Sequence, residues 1–461
     1  MPTLAPSERV HLVGVGGAGM SALAFILIER GHQVSGSDLR GGRVCAALAA
    51  MGATIHVGHA AEHVHGADLV ATSSAIPVDN PELVRAAELG IPTVRRAELL
   101  AALIGKRRSI LVAGTHGKTT TTAMTTVCLQ AAGADPSFAI GGALHDAGTS
   151  AHHGTGDLFV AEADESDRSF LVFTVHCAVV TNVEIDHHDH YADLVEVQEA
   201  FAAFLSRRVA GGLAVVCRDD PGAASLLDRA GAPVLTYGRH PDADLRVVEL
   251  ALDPAGARFR LERRGQDLGP FRLSLAGPHN VLNATAAAGA ALWAGAALAD
   301  VREGLAAFSG ATRRFQLVGV AGGVTVVDDY GHHPTELSAT LAAARQTEPE
   351  GRVVAVFQPH RYSRTAALGA ELGAALAAAD IVVVTDVYAA GEAPVPGVTG
   401  VLVAEAARAH GAETYFVPAA RELTDLVAGL VGPGDLVLTL GAGDVTEVGP
   451  VLLRRLEGRR A

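Results

Sequence analysis

Short apolar runs rich in valine, leucine and isoleucine alternate with alanine-rich amphipathic stretches along nearly the whole chain. Such alternation is typical of βαβ units, in which parallel strands are joined by helices that cover the sheet. At 461 residues the chain is also too long for one ordinary domain. The sequence therefore predicts an α/β protein of several domains with mostly parallel sheets.

Three blocks follow one another along the chain. The first, residues 1–104, opens with the strand-like run RVHLVGVG. The second, residues 105–312, starts with the strand SILVAG and includes hairpin-like strands at about 211–275, where RRGQDLG predicts a turn. The third, residues 313–461, contains the strand-like runs VTVVDD, RVVAVF, IVVVTD and LVLTLG.

Charge, cysteine content and hydropathy exclude several classes of protein. The formal net charge of −14 argues against a general nucleic-acid-binding surface, which would be basic. The four cysteines are dispersed without a CxxC pair, as expected in a reducing compartment. We find neither a secretion signal nor an apolar stretch long enough to span a membrane. These features predict a cytoplasmic protein without membrane insertion, and they give no indication for or against self-association.

A glycine-rich loop follows the first predicted strand. Gly14, Gly16 and Gly19 form a GxGxxG pattern that opens a helix, and Asp38 ends the next strand. Glycines allow a tight turn and a close backbone approach, and a helix N-terminus offers amide groups to a diphosphate. The pattern alone indicates a nucleotide diphosphate, with an NAD-type site and a purely structural turn as the alternatives.

A second glycine loop, GTHGKTTTT, lies between a strand and a helix at the start of the second block. Its amide groups can cradle phosphates, Lys118 can reach the β and γ oxygens, and the Thr119 hydroxyl can ligate Mg²⁺. The match to GxxxxGK[ST] is incomplete, because Val112 stands at the first glycine position. Four consecutive threonines are a poor helix start on propensity, which favours a ligand role for the first of them.

Two further strands of the second block end in potential metal ligands. The first ends at Glu162 and the second is followed by Asn182, with more acidic and histidine side chains just beyond: Asp164, Glu165, Asp167, Asp186, His187, His188, Asp189 and His190. Oxygen-rich ligation beside phosphates favours Mg²⁺, and no HExxH-type spacing points to zinc. A solvated acidic surface is the alternative for the residues that follow Glu162.

Polar groups also cluster at the start of one helix and at strand ends in the third block. His279, Asn280 and Asn283 open an alanine-rich helix, where they can contact a base or cap the helix. Arg361 and Arg364 are spaced to share one face of a helical turn and to hold a small anion. Alone, the arginines would indicate an ordinary surface pair. Their neighbours favour a site: Asp329, Tyr330, His332, His333 and His360.

Taken in order, these segments resemble the motifs of the Mur ligases, and within that family its alanine-adding branch. The segments are GVGGAGMSALA, GTHGKTTTT, EADESDRSF, TNVEIDHHDHY, GPHNVLNATAAA, DDYGHHPTE, FQPHRYSRT and GAGD. The resemblance covers essentially the whole chain. It implies a Rossmann-like domain for the UDP sugar at 1–104, a P-loop-type ATP-binding domain with a parallel sheet at 105–312, and a Rossmann-like domain for the amino acid at 313–461.

The resemblance also implies a role for individual residues. The UDP sugar would contact Gly16, Gly17, Gly19, Ser21, Ser37, Asp38, Ser73 and Ser74. ATP would contact Gly114, Thr115, His116, Gly117, Lys118, Thr119, Thr120, His279, Asn280, Asn283, Arg314 and Asp329. Metal ions would be ligated by Thr119, Glu162 and His187, with Asn182 beside the reacting phosphoryl group. The nascent amide and the alanine carboxylate would face Tyr330, His332, His360, Arg361 and Arg364, with His332 as the candidate base.

The implied activity is the ATP- and Mg²⁺-dependent joining of L-alanine to UDP-N-acetylmuramate through an acyl phosphate, with two metal ions. One departure from the family is that LVEVQEAFAAFLSRR lacks the lysine that several sister ligases carry. The alternatives are a ligase that adds a recycled tripeptide to the same sugar nucleotide, an NAD-dependent oxidoreductase, and a binding module switched by ATP. The segments GMSA and SDRSF favour alanine over the tripeptide.

Overall fold

The computed structural model describes residues 4, 5, 7–145, 148–186, 190–418 and 420–458. Their strands form three separate sheets of five, ten and six strands, in chain order. Helices cover the sheets, and most neighbouring strands run parallel. The predicted α/β architecture with three domains is confirmed.

The N-terminal sheet is entirely parallel, with the order β3-β2-β1-β4-β5. Its strands are β1 Arg9–Val13, β2 Gln33–Asp38, β3 Thr54–Val57, β4 Leu69–Thr72 and β5 Thr93–Arg95. Its helices are α1 Ala18–Glu29, α2 Arg43–Ala50, α3 Pro81–Leu89 and α4 Arg96–Ile104. The order reverses between β1 and β4, and ligands of open α/β sheets bind beyond the strand ends at such a point.

The central sheet has the order β15-β14-β13-β12-β11-β10-β6-β9-β7-β8. Its strands are β6 Arg108–Ala113, β7 Ser137–Ala139, β8 Ala151–His152, β9 Leu158–Glu162, β10 Val175–Val180, β11 Arg208–Cys217, β12 Val234–Gly238, β13 Leu245–Asp253, β14 Gly256–Arg263 and β15 Gln266–Leu273. Its helices are α5 Lys118–Ala131, α6 Leu194–Ser206, α7 Pro221–Ala224, α8 Pro278–Ala294 and α9 Leu298–Ala307.

The hairpin predicted from RRGQDLG is present. Strands β14 and β15 pair antiparallel around Arg264 and Gly265, which both have positive φ, at 51° and 81°. Two successive residues with positive φ are the mark of a tight type I′ hairpin turn.

The C-terminal sheet has the order β16-β17-β21-β18-β19-β20, in which β16 runs antiparallel to β17. Its strands are β16 Gln316–Ala321, β17 Val324–Asp329, β18 Val353–Phe357, β19 Ile381–Val384, β20 Glu413–Phe416 and β21 Leu436–Leu440. Its helices are α10 Pro334–Thr347, α11 Tyr362–Leu376, α12 Gly400–Ala409, α13 Ala420–Leu430 and α14 Val448–Glu457. The four strands predicted here correspond to β17, β18, β19 and β21, while β16 and β20 were not predicted.

The buried apolar side chains of the C-terminal domain form clusters separate from those of the other two domains. One continuous cluster of buried apolar side chains runs through the N-terminal and central domains. The C-terminal domain has separate clusters on the two faces of its sheet, since alternate residues of β18 point to opposite sides. The C-terminal domain therefore joins the rest of the chain through polar contacts.

Helix α10 carries one of these polar contacts near its C-terminal end. The Gln346 amide donates to the carbonyl oxygens of Asp253 and Gly256 in the β13–β14 turn, at 2.8 and 2.7 Å, and accepts from the Gly277 amide at 2.9 Å. A single side chain thus ties α10 to both a hairpin and the start of α8.

Two remaining features are the state of the cysteines and the character of the helices. All four cysteines are buried free thiols. Among the residues that the structure describes, no helix has the length and apolar character needed to cross a membrane.

Helices α11 and α12 depend on a glycine for their close contact. A Cβ atom added at Gly373 would lie 2.6 Å from the Ala407 nitrogen and 2.7 Å from the Val403 oxygen. We expect Gly373→Ala to destabilise the protein by about 1–3 kcal/mol, the usual cost of overpacking.

Gly429 in α13 is the control, because a Cβ there meets no atom within 4 Å. Gly429→Ala should stabilise by about 1 kcal/mol through helix propensity. Thermal unfolding of both variants checks this, and equal shifts would contradict it.

Candidate active site

The loop between β6 and α5 has the backbone of a phosphate-binding loop. Gly114 and Gly117 have positive φ, at 144° and 80°. A Cβ at Gly114 would collide with the Thr181 hydroxyl, and one at Gly117 would lie 2.6 Å from the Asn283 amide oxygen. Both glycines are therefore required by conformation and by space. The loop leads into the N-terminus of a 14-residue helix, a favourable position for an anion.

The loop is held in place by the strand next to it. Asn182 lies just beyond β10, and its amide oxygen accepts from the His116 amide at 2.7 Å while its amide nitrogen donates to the His116 carbonyl at 3.0 Å. The Thr181 hydroxyl donates to the same carbonyl at 2.6 Å. Asn182 was predicted to lie beside the reacting phosphoryl group, and the structure shows its amide engaged with the loop backbone.

Lys118 occupies all three of its ammonium donors within the protein. It bonds the carbonyls of Gly114 at 2.5 Å and Thr115 at 3.3 Å, and the Glu165 carboxylate at 2.8 Å. Burial raises the pKa of Glu165 to about 7, against the opposing effect of Lys118. The second oxygen of this buried carboxylate has no hydrogen-bond partner among the described residues. Glu165 is thus the carboxylate partner of Lys118.

Part of the threonine-rich stretch is explained by the helix itself, although the buried Thr121 hydroxyl has no hydrogen-bond partner among the described residues. The hydroxyls of Thr122, Thr125 and Thr126 donate to the carbonyl four residues earlier, at 2.8 to 2.9 Å. Such back-bonding satisfies a hydroxyl in a helix interior. Thr119 differs, because its hydroxyl accepts from the Arg314 guanidinium of the C-terminal domain at 3.2 Å.

Two of the predicted metal ligands flank one turn. The Glu162 carboxylate accepts the Gly141 amide at 2.5 Å, and a Cβ at Gly142 would lie 3.5 Å from the Thr119 methyl. A hydroxyl and a carboxylate beside a phosphate loop are oxygen donors that fit Mg²⁺. The third predicted ligand, His187, lies outside the described residues.

The predicted adenosine residues line one cavity of about 140 Å³ between the central and C-terminal domains: His279, Asn280, Asn283, Arg314 and Asp329. Thr120, also predicted for the ATP site, lines the same cavity. Its volume is close to the ~150 Å³ of cavities that hold one aromatic ring. Burial lowers the pKa of His279 to about 4, so its imidazole is neutral at neutral pH. Its Nδ1 atom has no hydrogen-bond partner among the described residues.

His116 extends from the phosphate loop to the C-terminal domain. Its Nδ1 lies 3.2 Å from a Glu336 oxygen and its Nε2 lies 3.7 Å from a Glu184 oxygen. Its ring centroid is 4.6 Å from that of His333. Burial alone would lower the pKa of His116, but the carboxylates of Glu336 and Glu184 outweigh it and raise the pKa to about 9. His116 is therefore an imidazolium at neutral pH.

Aromatic and imidazole rings form a continuous group beyond β17 and β18. Tyr330 contacts His332 edge to face at 5.4 Å, His332 lies 5.9 Å from His360, and His360 stacks on Tyr388 at 5.7 Å. Burial lowers the pKa of His332 to about 4 and that of His360 to about 3. Both are neutral at neutral pH. Because His332 Nδ1 lies 3.0 Å from the Tyr330 carbonyl, it carries the proton and leaves Nε2 as the acceptor.

The two arginines expected to act together have different partners. Arg364 bonds the carboxylate of Asp186 through Nε at 3.2 Å and Nη2 at 2.9 and 3.1 Å, and both side chains are 6% exposed. Arg361 has φ of 69°, is 33% exposed and lies 3.9 Å from Glu392. Arg364 therefore joins the C-terminal and central domains, while Arg361 lies nearer the surface.

In the N-terminal domain the first glycine loop closes on Asp38. The Gly16 amide donates to the Asp38 carboxylate at 2.9 Å, and a Cβ at Gly16 would lie 2.9 Å from the same oxygen. Gly17 is the N-cap of α1, and Gly19 packs against Arg96. Arg96 in turn pairs with Asp164 of the central domain at 2.8 Å. The loop therefore lies close to the junction with the second domain.

The serines predicted for the UDP sugar are not equivalent. Ser73 and Ser74 follow β4, at the point where the strand order reverses. Ser21 donates to the Ala18 carbonyl at 3.1 Å. Ser37 is fully buried and donates to Glu82 at 2.6 Å. Ser21 and Ser37 therefore have structural partners within the domain.

A buried carboxylate organises the region below this loop. Glu82 accepts from Ser37 and lies 2.7 Å from His63, 3.2 Å from His59 and 3.6 Å from His11. Burial would raise the pKa of Glu82, but the bonds from His11, Ser37 and His63 lower it to about 2. This network was not predicted, because its members are far apart in sequence.

The sequence also did not identify Glu184 and Glu336. Both are acidic residues near predicted motifs, within TNVEIDH and HHPTE. Glu336 stands third in α10 and carries a capping-box bond to His333, so its pattern indicated a helix start. A contact with another domain leaves no such signal in sequence.

Three family profiles match the chain in order. They are the Mur ligase family, catalytic domain, over residues 9–108, the Mur ligase middle domain over residues 112–291, and the Mur ligase, glutamate ligase domain, over residues 313–443. Together they cover most of the chain.

Similar proteins cover the whole length. A UDP-N-acetylmuramate–L-alanine ligase of Acidothermus cellulolyticus is 50% identical over 98% of this chain and 95% of its own. One of Saccharopolyspora erythraea is 52% identical over 98% and 94%. The crystal structure of a UDP-N-acetylmuramate–alanine ligase from Thermotoga maritima superposes with a TM-score of 0.85 at 30% identity, covering 98% of this chain and 99% of that one.

The different environments of the two arginines predict different effects on stability. Arg364→Met removes the guanidinium from the buried Asp186 carboxylate, which should cost about 3–5 kcal/mol. Arg361→Met removes a half-exposed contact and should cost less than about 1 kcal/mol. Thermal unfolding of the two variants, with the wild type as reference, measures the difference. Equal destabilisation would contradict the interdomain role of Arg364.

Proposed function

The chain belongs to the Mur ligase family, and from that premise we infer that it joins L-alanine to the carboxylate of UDP-N-acetylmuramate, using ATP. Relatives about 50% identical over nearly the whole chain carry that activity in their names. The carboxylate attacks the γ-phosphorus and ADP leaves, which gives an acyl phosphate. The alanine amine then attacks the acyl carbonyl and phosphate leaves.

One observation carries the assignment within this chain. His116 of the phosphate loop contacts Glu336 of the C-terminal domain, and the same carboxylate accepts the amide of His332 in the ring group. His116 and Glu336 also line the 140 Å³ cavity. An amino acid bound on the C-terminal side would therefore lie next to the γ-phosphate. Holding two reactants in contact accounts for a large part of the rate of such a reaction.

For the ATP half-reaction we propose the loop residues 114–120 and Lys118 as the phosphate site, with Asn182 shaping the loop. Lys118 would exchange its bond to Glu165 for the β and γ oxygens. His279, Asn280, Asn283, Arg314 and Asp329 would surround the adenosine. The support is that these residues share one cavity at the end of the loop.

Thr119 and Glu162 would hold Mg²⁺, and His187 is proposed for a second ion. Bound Mg²⁺ neutralises charge on the transferring phosphoryl group. Glu162 and Thr119 flank the Gly141–142 turn next to the loop, Glu162 through its carboxylate and Thr119 through its methyl group, and this proximity supports the first site. The number of ions is part of the proposal.

For the amino acid we propose Arg361 and Arg364 as the carboxylate site, with Asp186 fixing the orientation of Arg364. Tyr330, His332 and His360 would face the new amide. His332 is unprotonated at neutral pH, as a base must be, and its low pKa makes it a weak one. We propose that His332 accepts the proton of the alanine amine because of its position in the group of rings.

The UDP sugar would bind at Gly16, Gly17 and Gly19 of the first loop, with Ser73 and Ser74 across the reversal of strand order. Ser21, Ser37 and Asp38 would support this site through their bonds within the domain. We propose three units at 1–104, 105–312 and 313–461. Since the reaction uses ATP, we place it in the cytoplasm.

The tripeptide-adding alternative is less well supported. A murein peptide ligase of Psychrobacter arcticus has a TM-score of 0.75 at 24% identity over 98% of this chain and 99% of that one, a likeness of fold. The alanine ligases are about twice as similar in sequence. The oxidoreductase alternative gains no support, because the phosphate loop and the arginine pair have no part in hydride transfer.

Phosphate release is the direct test of the function. With ATP and Mg²⁺, release should require both L-alanine and UDP-N-acetylmuramate. Replacing alanine by the tripeptide should give little phosphate release. Release that depends on neither substrate, or on the tripeptide alone, would exclude the assignment.

Lys118→Ala should abolish ligation and leave sugar-nucleotide binding intact. Removal of a group that stabilises transition-state charge costs about 10²–10³-fold or more in rate. The N-terminal loop lies in a separate sheet, so calorimetric titration with UDP-N-acetylmuramate should give the wild-type affinity. A parallel loss of sugar-nucleotide binding would show that the two glycine loops do not work separately.

Arg361→Lys should raise the KM for alanine by about tenfold, or about 1.4 kcal/mol. Lysine lacks the planar pair of donors that binds a carboxylate. The KM values for ATP and sugar nucleotide should stay nearly unchanged, because lysine keeps the positive charge of the side chain. L-alaninamide, which has no carboxylate, should be a poor substrate for both enzymes and should lose little more in the variant. Equal impairment with alanine and alaninamide would remove Arg361 from the carboxylate site.

A further inference from the structure

The imidazole of His116 lies between carboxylates of two domains. Glu184 follows β10 of the central domain, and Glu336 is in the first turn of α10 in the C-terminal domain. Their oxygens lie 3.7 and 3.2 Å from the two ring nitrogens of His116. Because Nδ1 meets one domain and Nε2 the other, a single ring bridges the junction.

The C-terminal side of this bridge is rigid. The second oxygen of Glu336 accepts the amides of His332 and His333, at 2.9 and 3.3 Å. The Thr335 hydroxyl donates to Glu184 at 2.7 Å. The first turn of α10 is therefore fixed against both the imidazole and the central domain.

The loop side is rigid as well. The Asn182 side chain hydrogen-bonds both the amide and the carbonyl of His116. The next residue, Gly117, has a left-handed backbone conformation, and Lys118 follows it. Because the ring is held between Glu336, Glu184 and the His333 ring, a shift of α10 that carries the imidazole with it also acts on the backbone that directs the following amides. His116 therefore connects the position of α10 to the shape of the phosphate loop.

Charge gives the bridge a second effect. His116 and Glu336 line the cavity proposed for adenosine, and Glu184 lies 3.7 Å from the His116 ring, so two carboxylates lie close to the nucleotide site. Beside nucleotide phosphates, uncompensated carboxylates would oppose binding. A protonated His116 offsets one of the two negative charges.

We propose that the His116–Glu336 bridge couples docking of the C-terminal domain to the shape of the phosphate loop, which makes both of them positioning residues for nucleotide binding. This inference rests on the proposed function, since it takes ATP as the ligand of the loop. Neither residue needs to touch the reacting atoms.

The test is a double-mutant cycle of His116→Gln and Glu336→Gln in the full chain. Glutamine at 336 keeps the oxygen that caps α10 and removes the charge. The probe is the Mg²⁺ complex of β,γ-imido-ATP, titrated by calorimetry. Each single variant should raise Kd about tenfold, within the roughly 5–150-fold typical of coupling between two sites, because loss of the bridge outweighs the removal of one negative charge in Glu336→Gln. The double variant should be no weaker than the singles, because each one already breaks the bridge.

The pH dependence provides a readout that a purely structural role would not give. The groups facing His116 are Glu184, Glu336, His333 and Asp220. The pKa of His116 is raised from its ordinary 6.5 to about 9, so the bridge is complete below pH 6.5 and is lost as pH rises through about 9. Wild-type affinity for the analogue should fall across that range, and the His116→Gln variant should not show this fall.

Glu405→Gln is the matched control, since Glu405 is an exposed residue of α12. It should bind the analogue like the wild type. Additive effects in the cycle, or unchanged affinity in both single variants, would overturn the inference while leaving the proposed function intact. A wild type that does not bind the analogue would instead reject the proposed function.

A metal is the alternative occupant of the bridge. The ligand atoms of His116, Glu184 and His333 lie within 4.8 Å of one another. Stoichiometric zinc in purified wild type that is absent from His116→Gln would mean that a metal, and not a proton, joins these groups. That result would overturn the inference. Wild-type protein that contains no metal, together with the expected result of the double-mutant cycle, would support the inference.

Discussion

Two hydrogen bonds from the Asn182 side chain determine the geometry of the phosphate loop. They are possible because β10 lies beside β6, so that the residues after each strand meet at one edge of the sheet. With the His116 backbone fixed, the imidazole points toward one domain boundary and Lys118 toward Glu165. The rest of the site is arranged around that constraint.

Three carboxylates near the loop are paired with a cation. Glu165 pairs with Lys118, while Asp164 and Asp186 pair with arginines of the N-terminal and C-terminal domains. Burial would raise the pKa of Asp164, yet Arg96 and Lys118 lower it to about 2, so it is charged at all physiological pH. An acidic chain can therefore present a site for phosphates, because its local charges are neutralised within the protein.

Much of the fold could be predicted from sequence, because buried parallel strands appear as short apolar runs and their ends carry the polar residues. Strands β17, β18, β19 and β21, and the turn at Arg264, followed directly from such patterns. Strands β16 and β20 could not be recognised, since their residues are largely half-exposed or exposed and mix polar with apolar side chains.

The site could be predicted only where a residue acts within its own motif. The glycines at 114 and 117 are required by local backbone conformation, and the sequence identified both. Arg364 was paired with Arg361 on spacing, whereas its actual partner is 178 residues away. The contact between Glu336 and His116 likewise depends on how two domains are placed, which periodicity and spacing do not specify.

Helix α10 touches the central domain at two points, through Glu336 near its start and Gln346 near its end. Ten residues separate them, or about 15 Å along the helix axis. A rigid body attached at two points can rotate only about the line that joins them. If both attachments hold, opening of the C-terminal domain is therefore a rotation about α10 itself. Arg364 lies on another helix, away from this axis, so its bond to Asp186 opposes the rotation directly. A rotation of this kind would therefore separate Arg364 from Asp186.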